Sequence, residues 1–268
     1  MRCWTRRFGG LVISELVIGV FICWGVAMSI PLELRGVVKN FKEKRVLFGA
    51  TLRVEAGSVL GLVGVNGAGK TTLLKCALGL LRPTEGEAFV LGENAWGMPA
   101  TVKERIGYVP QDMKLIDYMS VDQLIAYTGS FYERWNKGLV ERLKGELGID
   151  GKASAGVLSG GEKQKVAILL ALGHEPELVV LDEPAAALDP LARRTFLRLV
   201  VELAEPGKRT VVFSTHILSD LERVADRVAV LQHGKIAYEG LLENLKEQQG
   251  VGLEEIFLGM HKGNASIS

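Results

Sequence analysis

A glycine-rich segment in the first third of the chain combines a lysine and hydroxyl residues at fixed spacing. It runs Gly64-Val65-Asn66-Gly67-Ala68-Gly69-Lys70-Thr71, with Thr72 next, and fits the pattern G-x-x-x-x-G-K-[ST]. The glycines let backbone N–H groups curl around phosphates, because no Cβ stands in the way. We expect Lys70 to reach the β- and γ-phosphates and the Thr71 hydroxyl to ligate Mg²⁺. The segment therefore predicts a nucleoside triphosphate site that includes residues 66–72.

Two carboxylates end an apolar run later in the chain. The run Leu178-Val179-Val180-Leu181 is followed by Asp182, Glu183 and Pro184. Carboxylates at the carboxyl end of a parallel strand face the crevice in which ligands bind. We expect Asp182 to help hold Mg²⁺ and Glu183 to polarise an attacking water. An acidic turn without chemistry is the alternative for this pair taken alone.

A third segment places two glycines at the start of a helix. It reads Leu158-Ser159-Gly160-Gly161-Glu162. Ser159 and Glu162 alone fit a capping box, which is a purely structural explanation for those two residues. The glycine pair is not explained by capping, since it exposes backbone N–H groups that attract an anion at a helix N-terminus.

The elements around these motifs predict an α/β fold. Residues 32–38, 46–54 and 59–63 have strand patterns, and a helix is expected over residues 70–81. Residues 121–147 are helical in pattern, and the short apolar runs at 178–181, 210–213 and 228–231 are typical of buried strands. Strands that alternate with helices after a phosphate loop indicate a parallel sheet wrapped by helices.

In combination the motifs resemble the ATPase domain of ABC transporters, over about residues 32–240. The resemblance implies a P-loop NTPase (RecA-like) core with an antiparallel β subdomain and a helical signature subdomain at about residues 112–160, within a cassette spanning 28–240. It implies ATP and Mg²⁺ as cofactors. It also makes residues 159–161 the contact to the γ-phosphate of an ATP held by another protomer.

Four more residues have roles implied only by this resemblance. Gln111 is similar to the residue that senses Mg²⁺ and the membrane partner, and Asp189 lies in a segment similar to the loop that crosses the dimer interface. His216 is similar to the histidine that contacts the γ-phosphate, and Phe41 to the aromatic ring stacked on adenine. The chain departs from the family at Val65, at the run of alanines 185–187, and at Glu162, where glutamine is usual.

One phosphate loop and one signature imply a second ATPase subunit, for which a homodimer suffices, and a permease on a separate chain. Residues 131–135 resemble ATPases of ABC-2-type exporters, so export is expected, at the cytoplasmic face of the membrane as a peripheral subunit. A soluble ABC switch without a permease and a module that binds but does not hydrolyse ATP are the alternatives.

Composition limits the remaining classes. The chain has 268 residues with 32 basic and 31 acidic side chains, and this balance gives no sign of a nucleic-acid partner. The scattered Cys3, Cys23 and Cys76 predict neither disulfides nor a metal cluster. Residues 9–30 are apolar and long enough to cross a bilayer. Residues 1–27 are therefore an anchor, a signal or sequence upstream of a start at Met28, and the tail 241–268 includes a short amphipathic helix at 253–257.

Overall fold

The computed structural model describes residues 30–204 and 209–249. The apolar segment at 9–30, except Ile30, and the predicted helix at 253–257 lie outside these residues. The strands are β1 Leu32–Phe41, β2 Lys44–Val54, β3 Val59–Val63, β4 Glu85–Val90, β5 Glu93–Asn94, β6 Ile106–Val109, β7 Leu178–Asp182, β8 Thr210–Thr215, β9 Arg227–Gln232 and β10 Lys235–Leu241. The α-helices are α1 Lys70–Ala77, α2 Ala100–Lys103, α3 Val121–Gly129, α4 Lys137–Glu146, α5 Gly160–Leu172, α6 Pro190–Leu203, α7 Leu218–Val224 and α8 Leu242–Gln249.

The central sheet has six strands in the order β10-β9-β3-β8-β7-β6. All neighbouring pairs are parallel except β9 and β10. Strands β3 and β7 are buried along their whole length, as expected for parallel strands covered on both faces. The loops that follow β3, β6, β7 and β8 therefore meet at one edge of the sheet, which is where the predicted site residues lie.

A second, antiparallel sheet contains β2, β1, β4 and β5 in that order. Its inner face shares one apolar core with α1 and with the side chains on one face of the central sheet. The expected antiparallel subdomain is therefore present. It holds β2 against the phosphate loop, so that residues at the start of β2 border the site.

Helix α1 is shorter than the pattern predicts. It ends at Ala77 instead of continuing to residue 81. Gly79 adopts φ +67° and passes so close to the Ala95 carbonyl that a Cβ would lie 1.9 Å from its oxygen. The chain must therefore leave the helix at this point to pack against the loop after β5.

The stretch 121–147, which is helical in pattern, forms two helices, α3 and α4, with a break between them. Trp135 lies in the break, and its ring contacts the positions where Gly129 and Gly173 lack a Cβ. This packing joins the break to the end of α5. No helix within residues 30–204 and 209–249 is long and apolar enough to cross a membrane.

Candidate functional site

The phosphate loop connects β3 to α1, and its lysine is almost fully buried. Gly67 and Gly69 have φ values of +80° and +105°, which side chains other than glycine rarely tolerate. The Lys70 ammonium donates to the Gly64 carbonyl at 2.8 Å and lies 3.1 Å from a Glu183 carboxylate oxygen. The loop thus encloses the lysine head group, as phosphate binding by this motif requires.

The two adjacent acids take different directions at the end of β7. Asp182 ends the strand and is fully buried, and Glu183 follows it with φ +50°. This left-handed backbone is uncommon for a residue with a side chain. The Ser214 hydroxyl, on neighbouring β8, donates to Asp182 Oδ1 at 2.7 Å and accepts the Glu183 N–H at 2.9 Å. One serine therefore fixes both acids.

Glu183 connects the phosphate loop to the histidine after β8. Its second carboxylate oxygen lies 2.5 Å from His216 Nδ1, while its first pairs with Lys70. His216 is partly exposed, whereas Glu183 is buried. A buried carboxylate between a lysine and a solvent-facing imidazole can act on a water molecule at the mouth of the cavity.

The expected magnesium ligands fit a cation. Thr71 Oγ1 and Gln111 Oε1 are 3.4 Å apart at the mouth of the phosphate loop. Asp182 Oδ2 is buried and has no hydrogen-bond partner among the described residues. Burial, with a smaller contribution from the Asp182 charge, raises the pKa of the nearby Tyr108 to about 12. No three His, Cys, Asp or Glu side chains in the described part of the chain form a metal cluster.

The structure brings most of the predicted residues to one cavity of about 370 Å³. Its lining from the predicted set is Asn66, Gly67, Gly69, Lys70, Thr71, Thr72, Gln111, Glu183 and His216. Val46 and Ala186 also line it and were not predicted from the sequence. Neither carries a chemical signal, but Ser214 could have been found, since it is paired in register with Asp182 on the neighbouring strand.

The signature residues do not line this cavity. Ser159 and Glu162 form the capping box of α5, with Ser159 N–H donating to the Glu162 carboxylate at 2.8 Å. Gly161 packs so tightly on the Ala187 carbonyl that a Cβ would lie 2.7 Å from its oxygen. Asp189 caps α6 and pairs with Lys165. Residues 159–161 and Asp189 are therefore absent from the lining of the cavity that holds Lys70 of the same chain.

The predicted adenine ring also lies outside this cavity. Phe41 is the last residue of β1 and is 45% exposed, and the Lys39 ammonium lies over its ring, 5.2 Å from the ring centre. A second cavity of about 330 Å³ adjoins the phosphate loop instead, and its aromatic residue is Phe48.

Many known proteins are similar to this chain. The family model for ABC transporters matches residues 47–186. The Nod factor export ATP-binding protein I of Rhizobium sp. (strain N33) is 35% identical over 237 residues, which are 86% of this chain and 78% of the relative. The ABC transporter ATP-binding protein NatA of Bacillus subtilis (strain 168) is 34% identical over 221 residues, or 79% of this chain and 89% of the relative. A solved ATP-binding subunit of an ABC transporter superposes with a TM-score of 0.78 at 28% identity, covering 86% of this chain and 99% of that one.

Proposed function

The chain belongs to the ABC transporter family, and from this premise we propose that it is the ATP-hydrolysing subunit that powers a separate membrane permease, in the direction of export. The observation that carries the proposal is the single cavity in which Lys70, Thr71, Gln111, Glu183 and His216 meet. These side chains supply a phosphate-binding cation, cation-binding oxygens and a carboxylate next to an imidazole. Export is supported by the Rhizobium relative, whose name assigns it to Nod factor export.

The residues divide the reaction between them. Lys70 and the backbone N–H groups of the phosphate loop bind the β- and γ-phosphates. Thr71, Gln111 and Asp182 would hold Mg²⁺, which neutralises the phosphate charge that develops during transfer. A triphosphate competes with Glu183 for Lys70, and a Glu183 released from that ion pair can orient or deprotonate the attacking water. His216 then contacts the γ-phosphate.

A second copy of the chain completes the site in this proposal. The first N–H groups of α5, at Gly160 and Gly161, lie outside the capping box and outside the cavity around Lys70 of their own chain. A helix N-terminus of this kind attracts an anion. We propose a head-to-tail homodimer in which residues 159–161 of each protomer contact the γ-phosphate held by the other, and Asp189 lies at the same interface.

The membrane partner is proposed to contact the surface near Gln111 and the helical subdomain. Tyr118 and Phe131 are exposed there, and Phe131 packs edge-on against Tyr127 with ring centres 5.0 Å apart. Exposed aromatic side chains are enriched at protein interfaces. The subunit would then be peripheral at the cytoplasmic face of the membrane, with the cassette at residues 28–240.

Glu183→Gln tests the catalytic assignment. The variant should still bind ATP, since Lys70 and the loop are intact, while hydrolysis falls by about 100-fold or more because the general base is lost. Glu177→Gln is the matched control, because Glu177 immediately precedes β7, at the opposite end of the same strand, and pairs with Arg105 at the surface. Hydrolysis that stays unchanged in Glu183→Gln would remove this residue from the catalytic role.

The permease assignment needs a separate experiment. Affinity purification from detergent-solubilised native membranes should recover a polytopic membrane protein with the full-length chain. A form that begins at Met28 shows whether residues 1–27 contribute to that recovery. If neither form recovers a membrane protein although the chain hydrolyses ATP, a soluble ABC switch becomes the better description.

A further inference from the structure

Ser214, on β8, lies between the strand that leads to the phosphate loop and the strand that ends in the two acids. It is paired in register with Leu62 on β3 and with Asp182 on β7. Its side chain is fully buried. The backbone that carries the Ser214 hydroxyl is therefore held by a neighbouring strand on each side.

The Ser214 hydroxyl has a defined direction. It donates its proton to Asp182 Oδ1 at 2.7 Å, and its oxygen accepts the Glu183 N–H at 2.9 Å. A hydroxyl has one proton to donate, whereas an ionised carboxylate can only accept and a backbone N–H can only donate. Asp182 therefore orients the hydroxyl, and the hydroxyl in turn holds the backbone of Glu183.

The backbone that this bond holds is an unusual one. Glu183 has φ +50°, and among the residues that the structure describes it is the only buried one other than glycine with a positive φ. Such a conformation persists only where its surroundings fix it. The Glu183 carboxylate contacts Lys70 at 3.1 Å and His216 at 2.5 Å. Ser214 thus holds the backbone end of this residue, while the lysine and the histidine hold its charged end.

The two ends of Glu183 differ in what happens to them when a triphosphate binds. In the proposed reaction Lys70 turns to the β- and γ-phosphates and His216 to the γ-phosphate, so both contacts to the carboxylate are given up or weakened. The bond to Ser214 does not involve the carboxylate and is buried behind it. It is therefore the contact that can keep Glu183 in place during hydrolysis.

We propose that Ser214 is a positioning residue for ATP hydrolysis, whose hydroxyl keeps Glu183 directed at the attacking water once the triphosphate has taken Lys70. The inference rests on the proposed function, because it requires Glu183 to act on that water. It gives a part in the reaction to a serine to which the sequence motifs assign no role.

Two variants of nearly the same shape isolate the hydroxyl. Ser214→Thr keeps it, and Ser214→Val replaces it by a methyl group. In steady-state ATPase assays, kcat of Ser214→Val should be about tenfold below that of Ser214→Thr, which is typical for the loss of a partner that orients an active-site carboxylate. KM for ATP should be equal in the two, since Lys70 and the phosphate loop are intact. Ser214→Ala replaces Ser214→Val if the valine variant does not fold.

A combination with Glu183→Gln tests whether the serine acts through Glu183. Residues that act as one unit are not additive, so in the Glu183→Gln background the residual single-turnover rate should differ little between Ser214→Val and Ser214→Thr. A serine that only stabilises the fold would reduce the rate in both backgrounds alike. Calorimetry should show equal ATP binding by the two double variants.

Thr210→Val is the matched control. Thr210 begins the same strand, and its buried hydroxyl accepts the Gly57 N–H at 3.0 Å, at the end of β8 opposite to the site. This variant also removes a buried hydroxyl that holds a backbone N–H. It should unfold more easily than the wild type but keep the wild-type kcat.

The outcomes separate the inference from the proposed function. The inference is contradicted if Ser214→Thr and Ser214→Val have the same kcat, or if their ratio is unchanged in the Glu183→Gln background. It is also contradicted if Thr210→Val lowers kcat as much as Ser214→Val does. A folded wild type that does not hydrolyse ATP contradicts the proposed function, and the inference with it.

Discussion

Ser214→Ala removes the hydroxyl that holds both acids of the site. In the folded chain this hydroxyl donates to Asp182 Oδ1 at 2.7 Å and accepts the Glu183 N–H at 2.9 Å. A hydrogen bond to a charged group contributes about 1.5–3 kcal/mol, and an unpaired buried donor costs about 1–3 kcal/mol. Because water that enters the site recovers part of this loss, we expect the free energy of unfolding to fall by about 3 kcal/mol.

Urea denaturation of wild type and variant measures this change directly. Ser58→Ala is the control, since Ser58 is also buried and its hydroxyl donates to the Glu55 carbonyl at 2.7 Å, away from the site. Its loss should cost about 1 kcal/mol. A Ser214→Ala cost no greater than that of Ser58→Ala would refute the argument that this serine links the two acids.

A double-mutant cycle adds a second check on the same bond. Combining Ser214→Ala with Asp182→Asn should give a coupling energy of about 1 kcal/mol or more, since residues in direct hydrogen-bond contact are not additive. Additive effects would show that Asp182 and Ser214 do not interact.

Three further predictions concern packing and buried charge. Burial lowers the pKa of His174, against the opposing effect of the Ile106 carbonyl, so the folded state disfavours the charged imidazole. The free energy of unfolding should therefore fall as the pH drops below about 6.5, by up to about 1.4 kcal/mol per pH unit. His174→Gln should lose this pH dependence in denaturation curves measured between about pH 7.5 and 5.5, and a slope equal to that of the wild type would contradict the prediction. Gly173→Ala places a Cβ 2.5 Å from the Trp135 ring and should cost about 1–3 kcal/mol, part of which Trp135→Leu should restore if the ring is the obstacle. Arg193→Ala removes the guanidinium that lies 2.7 Å from the buried Asp220 carboxylate and should lower the free energy of unfolding by about 3 kcal/mol. Adding Asp220→Asn should recover part of this loss. A double variant as unstable as Arg193→Ala alone would show that the unpaired charge is not the cause.

The side chains to which we assign catalytic roles could be brought together from the sequence because each follows a strand and carries its own chemical signal. A lysine in a glycine-rich loop, a pair of acids and a histidine after short apolar runs must meet once those runs form parallel neighbours, and they do. The comparisons confirm the family that these motifs resemble.

The features that sequence reasoning missed depend on partners distant in the chain. At the break between α3 and α4, Trp135 packs against Gly173, which immediately follows α5, and no pattern within residues 121–147 contains that contact. The cavity beside Phe48 similarly depends on the turn at Gly234, which lies far along the chain and accepts a hydrogen bond from the Phe48 N–H. The role of Phe41 stays a prediction that rests on the family resemblance alone, since Phe41 lines neither cavity at the phosphate loop.

The different directions of the Asp182 and Glu183 side chains are set by the backbone. On a regular strand, adjacent side chains point to opposite faces, so one of the two acids would leave the site. Instead, Glu183 adopts φ +50°, a conformation that costs about 1–3 kcal/mol for a residue with a side chain and persists only when its surroundings fix it. The fixing contact is the Glu183 N–H bond to Ser214, a residue of the next strand. The kink keeps Asp182 in the buried core of the site with one oxygen unpaired, and it brings Glu183 to Lys70 and His216. In the proposed mechanism Asp182 acts on a cation and Glu183 on a water molecule, and the serine on β8 that stabilises the strained turn between them keeps the two side chains apart.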